Sequence, residues 1–286
     1  MSALAEPGQS RAGQTARRNE GSVPGLTSII KNMFSAGLLS TLRKFASILF
    51  LLWLTHALGY FAHEYAHSFT AWSVGYKANP LALNYGHLDW NNILTQDDID
   101  ENVDYDPIFA SGRGPIAALI AIAGVLFGNG IFYLISQHGY RAAKQAGHFM
   151  LALLFFLLCI MNVGNLISYI PVRTFATHAD MATVEQGLRI SPWWLAIVLG
   201  IPFCLAVAHF VLKTLPEAMR YFFSDSRVAQ ALLLALCCCM IFVFYGGAGL
   251  HRYGIISHSI SLISIWLLLP LTAACNWLRT SRNRTN

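Results

Sequence analysis

Residues 48–67 read ILFLLWLTHALGYFAHEYAH, an apolar run that leads directly into the pattern His-Glu-X-X-His. Histidines four residues apart, here His63 and His67, lie on one face of an α-helix about one turn apart, so both imidazoles can reach one metal ion. Glu64 projects beside that face, where a carboxylate is placed to take a proton from a metal-bound water. Because ionisable groups are costly to bury on an apolar helix, the stretch predicts a functional site inside a membrane-spanning helix.

The composition is that of an integral membrane protein. Of the 286 residues, 55% are hydrophobic and 12% are charged, against about 25% charged residues in soluble domains. The formal charge of +5 is spread over tails and short loops, which excludes the basic patch of a nucleic-acid-binding protein, so no nucleic-acid partner is expected. The six cysteines lie in apolar runs without CxxC spacing, and we interpret them as small apolar side chains of the spans.

Six apolar segments, each near the ~20 residues needed to cross a bilayer, predict an all-α membrane protein with about six transmembrane helices. The predicted spans cover residues 45–72, 114–136, 148–170, 193–212, 228–245 and 255–274. Pro202 and Pro270 predict kinks in the fourth and sixth spans. Residues 1–25 have few large apolar side chains and predict a disordered tail, and residues 26–44 predict a short interfacial helix.

The distribution of lysine and arginine predicts the orientation. These residues concentrate in the N-terminal tail, the loops after the second and fourth spans, and the C-terminal tail. With six spans, these four segments fall on one side of the membrane, so both termini are predicted to be cytoplasmic. We expect a multi-pass protein of a bacterial cell membrane, with an organelle membrane as the alternative.

The longest polar connection covers residues 77–113 and contains an acidic run between residues 97 and 106. Such a run is usually a solvated loop. Residues 80–88, just before it, alternate weakly and contain turn residues, which is typical of a short hairpin at the membrane edge. A role in gating or pairing with a substrate is the functional alternative.

The metal site needs a third ligand, because a catalytic zinc ion usually takes three protein ligands and keeps one position open for water. With a cytoplasmic N-terminus, the first and third spans both end at the far face of the membrane. Residues 171–180 should therefore approach His63 and His67. This segment offers His178 and Asp180, and the geometry does not choose between them.

Other polar residues near the site have two interpretations each. His56 is interpreted as a buried, hydrogen-bonded histidine, with a role beside the metal as the alternative. Asn162 and Asn165 lie three apart on the third span and are read either as interhelical hydrogen-bonding groups or as substrate-binding groups. Arg173 is interpreted as a solvated loop charge, with pairing to a carboxylate near the site as the alternative.

Together these motifs resemble the site-2 protease family of intramembrane zinc metalloproteases, and the resemblance covers about residues 45–185. The matching features are HExxH in the first span, a Gly-Pro pair that opens the second, and an Asn…Pro…Asp order at the third: His63, Glu64, His67, Gly114, Pro115, Asn165, Pro171 and Asp180. Asn165, Pro171 and Asp180 are farther apart in sequence than in the family's pattern NxxPxxxxDG. Asp180 is followed by Met181, where that pattern has a glycine. Ala117 and Ala118 stand where the family often has an asparagine.

The resemblance implies that His63, His67 and Asp180 bind Zn²⁺ and that Glu64 is the general base. It also implies hydrolysis of peptide bonds in or near transmembrane segments. The substrate would be a single-span membrane protein or a membrane-bound peptide in the lipid bilayer.

The implied organisation has four parts. A tail with an interfacial helix covers residues 1–44, and a three-helix metalloprotease core with the polar loop 77–113 covers residues 45–185. Three accessory helices cover residues 186–275, and a basic tail covers residues 276–286.

Two other functions are consistent with the same ionisable residues. One is a membrane transporter or metal-binding scaffold without proteolytic activity. The other, a di-iron oxygenase, is disfavoured because such proteins carry several clustered histidine motifs.

Overall fold

The computed structural model describes residues 26–250 and 253–282. The predicted disordered tail, residues 1–25, lies outside the described residues, as does the end of the predicted basic tail, residues 283–286. The α-helices in the described part are Leu26–Ser73, Trp90–Thr95, Asp106–Ala110, Gly114–Ala123, Phe132–Gln145, Phe149–Ile167, Ala179–Leu188, Pro192–His209, Leu215–Phe222, Arg227–Cys238, Gly254–Ile263 and Leu269–Arg282.

The predicted all-α membrane fold is confirmed, since six helical segments are long and apolar enough to cross a membrane. These spans are Phe45–Ser73, Gly114–Gln145, Phe149–Phe175, Pro192–Phe222, Arg227–Leu250 and Gly254–Thr280. The second and fourth extend about ten residues beyond their predicted ends. There the apolar run stops but good helix formers such as Ala, Lys, Gln and Arg continue the helix.

The chain ends differ from their predicted boundaries. Helix Leu26–Ser73 has no break near residue 44, so the predicted interfacial segment and the first span share one helix. At the other end, helix Leu269–Arg282 includes most of the predicted basic tail.

Three prolines of the spans lie within or just after π-helical turns. Pro171 lies inside the π segment Ser168–Val172, Pro216 follows Phe210–Thr214, and Pro270 follows Ser264–Leu268. Proline removes a backbone donor and crowds the preceding turn, and a wider turn relieves that crowding. The predicted irregularity near Pro270 therefore appears as a π segment, whereas Pro202 lies inside the regular α-helix Pro192–His209.

The third span is the most buried of the six, and the first, fourth and sixth are the least buried. One face of the third span packs with the second, fourth and fifth spans around a large apolar core, whose fully buried rings are Tyr140, Phe156, Phe210 and Phe242. Its C-terminal end joins a second cluster with Val125, Tyr169 and Met181. Through this cluster the segment that follows the third span, which includes Met181, packs against Val125 of the second span.

Helix Ala179–Leu188 packs on the start of the second span through two glycines. A Cβ atom at Gly187 would lie 2.3 Å from the carbonyl oxygen of Gly114, so the two backbones approach closely only because both side chains are absent. This contact fixes the helix that carries Asp180.

Glu185, on the same helix, makes folding sensitive to pH. Burial raises the pKa of Glu185 to about 7, above its value of ~4.3 in an unfolded chain. The folded state then binds the proton more tightly, so this contribution to stability is full below pH ~4 and is lost as the pH rises through ~7. We expect the unfolding temperature in detergent to fall more between pH 5 and pH 8 for the wild type than for Glu185→Gln. Equal falls would contradict this assignment.

The polar loop lies alongside the first span. Ser68 donates to the carbonyl of Pro80 at 2.7 Å, Tyr60 to that of Ile99 at 3.2 Å, and the Trp53 indole to that of Ile93 at 2.8 Å. From Ser68 to Trp53 the helix is roughly 22 Å long at 1.5 Å per residue. The loop thus follows the span well past the level of His63.

The hairpin predicted for residues 80–88 is reduced to a single β-bridge. In the described part of the chain, the only isolated β-bridge joins Asn84 and Asp100, and no strand is present. Lys77 holds the base of the loop by donating to the carbonyls of Ala82, Glu101 and Asn102. The acidic run of residues 97–106 is expected to be solvated. It begins next to the first span, where Ile99 contacts Tyr60.

Candidate metal centre

The three residues predicted to bind a metal come together. The Nε2 atoms of His63 and His67 are 3.0 Å apart, and Asp180 Oδ2 lies 3.1 Å from the first and 3.4 Å from the second. Over the described ranges of the chain, this is the only group of three or more His, Cys, Asp or Glu side chains that could hold a metal ion. The span geometry left His178 and Asp180 as alternatives, and Asp180, the residue implied by the resemblance, is the one that lies here.

The spacing of these three atoms fits a zinc ion. Ligands bound at about 2.0–2.1 Å in a tetrahedron lie about 3.3 Å from one another. The three observed separations, 3.0 to 3.4 Å, bracket that value. Two imidazoles and one carboxylate also form a donor set typical of catalytic zinc, with the fourth position open.

His67 is held in the tautomer that a metal requires. Its Nδ1 lies 2.7 Å from the carbonyl oxygen of Ile120 in the second span. Because a carbonyl only accepts, Nδ1 carries a ring proton, and Nε2 is the nitrogen that remains to bind a metal. Such a backbone hydrogen bond orients a ligating histidine and fixes its tautomer.

His63 is fixed by a buried asparagine and an aromatic ring. Asn129 is fully buried, and its Nδ2 lies 2.8 Å from His63 Nδ1. Asn129 Oδ1 has no hydrogen-bond partner among the described residues. When Nε2 binds a metal, Nδ1 carries the proton, and turning the Asn129 amide lets Oδ1 accept it. The Tyr169 ring stacks on the imidazole with 4.4 Å between centroids.

Two glycines in a π segment give the histidines their space. Gly124 and Gly128 belong to the π-helical part of the second span, Gly124–Ile131. A Cβ atom at Gly124 would lie 2.2 Å from His67 Nε2, and one at Gly128 would lie 2.5 Å from the Cα of His63. π-helical turns are rare and occur frequently at functional sites. The second span therefore approaches the HExxH helix more closely than any side chain would allow.

Asp180 stands in the first turn of helix Ala179–Leu188. The preceding Ala179 has φ of +69°, a left-handed conformation that an L-residue adopts at a cost of roughly 1–2 kcal/mol. Burial alone would raise the pKa of Asp180, but His67 and the hydrogen bonds to both histidines hold it well below its usual range. The group is thus a carboxylate, the form that binds a cation.

Glu64 is 5% exposed and directly follows a proposed ligand. Its carboxyl group lies within electrostatic range of His67 and Asp180, and of Asp100 and Glu101 in the polar loop. Glu64 is thus a buried carboxyl residue within one helical turn of both His63 and His67.

The alternative ligand, His178, lies elsewhere. It is exposed, and its ring stacks on Tyr253 with 5.1 Å between centroids. His56 is also separate from the metal group: Nδ1 lies 2.8 Å from the Tyr245 hydroxyl, and Nε2 donates to the Thr95 carbonyl at 3.0 Å. The interpretation of His56 as a hydrogen-bonded histidine agrees with these contacts.

Arg173 is not the solvated charge that its loop position predicted. Its guanidinium lies over the Tyr169 ring at 4.5 Å and over the Tyr253 ring at 5.3 Å. Its Nε is buried without a hydrogen-bond partner among the described residues. The guanidinium is therefore held by the rings of Tyr169, in the third span, and Tyr253, just before the sixth span.

The two asparagines of the third span do not bridge helices in the described structure. Asn162 is fully buried and donates to the Leu158 carbonyl of its own helix, while its Oδ1 has no partner there. Asn165 is 9% exposed and lies near Gly59 of the first span.

Sequence reasoning missed Asn129, Tyr169, Gly124 and Gly128. Asn129 had a signal, since it is a lone amide between two glycines in an otherwise apolar span. Asn129 lies in the same span as Ala117 and Ala118, the two residues that stand where the resembling family often has an asparagine. Comparison with known proteins adds no further assignment, because no protein-family model, no curated protein and no solved structure matches this chain.

Proposed function

We propose that this chain is an intramembrane zinc metalloprotease. The observation that carries the proposal is the triangle formed by His63, His67 and Asp180, whose edges are those of a tetrahedral zinc site. The two histidines and Glu64 lie in an apolar span. Two further observations support the proposal: the hydrogen bond that fixes His67, and the Asn129 amide whose nitrogen lies 2.8 Å from His63 Nδ1 while its oxygen has no partner among the described residues.

A zinc ion held by these three residues would supply Lewis acidity, lowering the pKa of a water in the open position towards ~7 and polarising a substrate carbonyl. Glu64 takes the proton from that water as it attacks the peptide carbonyl. Glu64 then returns the proton to the leaving amine as the C–N bond breaks. Ile120 and Asn129 keep the two imidazoles oriented throughout.

Hydrolysis inside a membrane needs water at the depth of Glu64, and the polar loop supports such access. Asp100 and Glu101 follow Ile99, whose carbonyl accepts from Tyr60, one turn before Glu64. Carboxylates at that depth are costly in hydrocarbon and are found facing water or protein. The loop therefore favours an aqueous path that runs down the first span to the site.

The substrate of such an enzyme is a helix whose backbone hydrogen bonds are satisfied internally. The scissile peptide must leave the helix before its carbonyl is free to be attacked. We expect cleavage to favour positions near glycine, proline and other weak helix formers, since unwinding costs least there.

A test compares wild type with Glu64→Gln, purified in detergent. We expect both proteins to hold about one zinc per chain, because Glu64 is not a ligand, and cleavage of single-span substrates to fall ~10²–10⁴-fold in the variant. Zinc is measured by inductively coupled plasma mass spectrometry and cleavage by gel and mass spectrometry.

Two outcomes of this test count against the proposal. A variant that holds zinc and cleaves at the wild-type rate removes Glu64 from the mechanism. Wild-type protein that holds zinc but cleaves no single-span substrate favours the transporter or scaffold.

A further inference from the structure

A groove between the second and fourth spans lies outside the metal centre and has no role in the proposed hydrolysis. It encloses about 540 Å³, within the range of ~300–1,000 Å³ typical of ligand sites. Its inner wall is apolar and includes Val125, Leu166, Ile170, Leu199 and Phe203. Leu134 and Leu205 on its rim are 63% and 68% exposed, so the groove opens on a lipid-facing surface.

The other end of the groove is polar and carries an unneutralised cation. Arg141 Nη2 lies 2.9 Å from His209 Nε2. Because a guanidinium only donates, Nε2 has no proton, and His209 is a neutral ring that leaves the arginine charge intact. No ion pair is formed by Arg141 in the described part of the chain, whereas the neighbouring Lys144 is paired with Glu217. His138, which is exposed, lines the same end.

A hydrogen-bond chain holds this polar end in place. His209 Nδ1 donates to the Tyr133 hydroxyl at 3.0 Å, and that hydroxyl donates to the Ala206 carbonyl at 3.2 Å. Gln137 donates to the same hydroxyl at 3.2 Å and accepts from Thr214 at 3.1 Å. The second and fourth spans are thereby joined, and the arginine has a fixed acceptor that orients it at the end of the groove.

The groove is too small to enclose a substrate helix. Between Val125 and Arg141 the second span is roughly 24 Å long, and a helix about 10 Å wide over that length fills roughly 2,000 Å³. The available 540 Å³ is far smaller. A single acyl chain is narrow enough to fit the groove. The roughly 24 Å between Val125 and Arg141 is longer than the ~15 Å hydrocarbon thickness of one leaflet, so a whole acyl chain can lie along it.

We propose that this groove binds a glycerophospholipid with an anionic head group, its phosphate on Arg141 and His138 and an acyl chain along the apolar wall. A guanidinium is suited to phosphate because it offers parallel N–H donors as well as charge. Basic pockets between transmembrane helices on the cytoplasmic side are typical places for acidic head groups. Arg141 lies on the side that the basic loops predict to be cytoplasmic.

The far end of the acyl chain reaches the wall of the metal centre. Leu166 and Ile170 belong to the same buried cluster as Tyr169, whose ring stacks on His63. A bound lipid therefore packs against the residues that support a ligand. Lipid binding in this groove is independent of proteolytic activity.

Native mass spectrometry tests the site with dioleoylphosphatidylglycerol and dioleoylphosphatidylcholine added to delipidated protein. We expect one phosphatidylglycerol to be retained on wild type, at least tenfold more than phosphatidylcholine, and Arg141→Gln to reduce that retention about tenfold. Arg220→Gln is the matched control, because Arg220 is exposed, is predicted to lie on the same side and does not line the groove. It should retain lipid as the wild type does.

A second variant tests the apolar wall without touching charge. Leu199→Trp fills the groove and should also lower retention, whereas unfolding temperatures without lipid report any folding defect separately. Equal retention of the two lipids, or equal losses in Arg141→Gln and Arg220→Gln, would overturn the proposal. Displacement of the lipid by millimolar inorganic phosphate would show that the site recognises free phosphate instead.

Discussion

Replacing Gly124 with alanine is expected to abolish zinc binding. The added Cβ atom would lie 2.2 Å from His67 Nε2 and 2.6 Å from His63 Cε1, far inside van der Waals contact. Neither ring is free to move, because His67 is tied to the Ile120 carbonyl and His63 lies between Asn129 and Tyr169. The methyl group would therefore separate the second span from the HExxH helix or occupy the ligand positions themselves.

Gly200→Ala is the matched control for this change. Gly200 is also a helical glycine of a membrane span, and a Cβ atom there meets nothing within 4 Å. We expect Gly200→Ala to hold one zinc per chain and Gly124→Ala to hold less than about a tenth of that, because the clash in Gly124→Ala falls on both ligand rings. Circular dichroism checks that both variants remain helical. Full zinc occupancy in a folded Gly124→Ala protein would show that the metal binds elsewhere.

Replacing Asp180 with alanine is expected to weaken zinc binding by more than ~100-fold, since residues that only support a ligand already contribute 10–100-fold. The carboxylate closes the ligand triangle at 3.1 and 3.4 Å from the two imidazole nitrogens. Its removal leaves a two-histidine site. Competition with a chromogenic chelator measures the affinity, and any cleavage activity should disappear with the metal.

His178→Ala separates this role from a general disturbance of the segment. His178 lies two residues away from Asp180, is exposed and stacks on Tyr253. We expect its replacement to leave zinc affinity within about twofold, since it contributes only a surface ring contact. The reverse pattern, with zinc lost in His178→Ala and kept in Asp180→Ala, would transfer the third ligand to His178.

The two classes of replacement differ in what they remove. Glu64→Gln takes away a proton acceptor and leaves the metal, so residual activity is expected. Gly124→Ala and Asp180→Ala remove the metal and with it all the chemistry proposed for the site. Zinc content and cleavage should therefore separate in the first case and fall together in the other two.

The local sequence pattern was sufficient to predict the membrane spans and the pairing of His63 with His67 in the candidate site. Apolar runs near 20 residues long specify membrane helices because the bilayer requires internal backbone hydrogen bonding. His63 and His67 share a face because the helix repeats every 3.6 residues, and their Nε2 atoms indeed lie 3.0 Å apart. These relations involve neighbours along the chain, so they are visible in one sequence.

The rest of the site depends on contacts between distant segments. Tertiary packing placed Asp180 rather than His178 beside the histidines, set Asn129 against His63 and packed Arg173 against two tyrosine rings. It also laid the polar loop along the first span. The stretch 48–67 by itself determined a membrane helix with two histidines and a glutamate on it. Only the fold brought Asp180, which the resemblance implied as third ligand, against the two histidines. The close approach through Gly124, Gly128 and Gly187 depends on contacts between distant helices, which the periodicity of one helix does not contain.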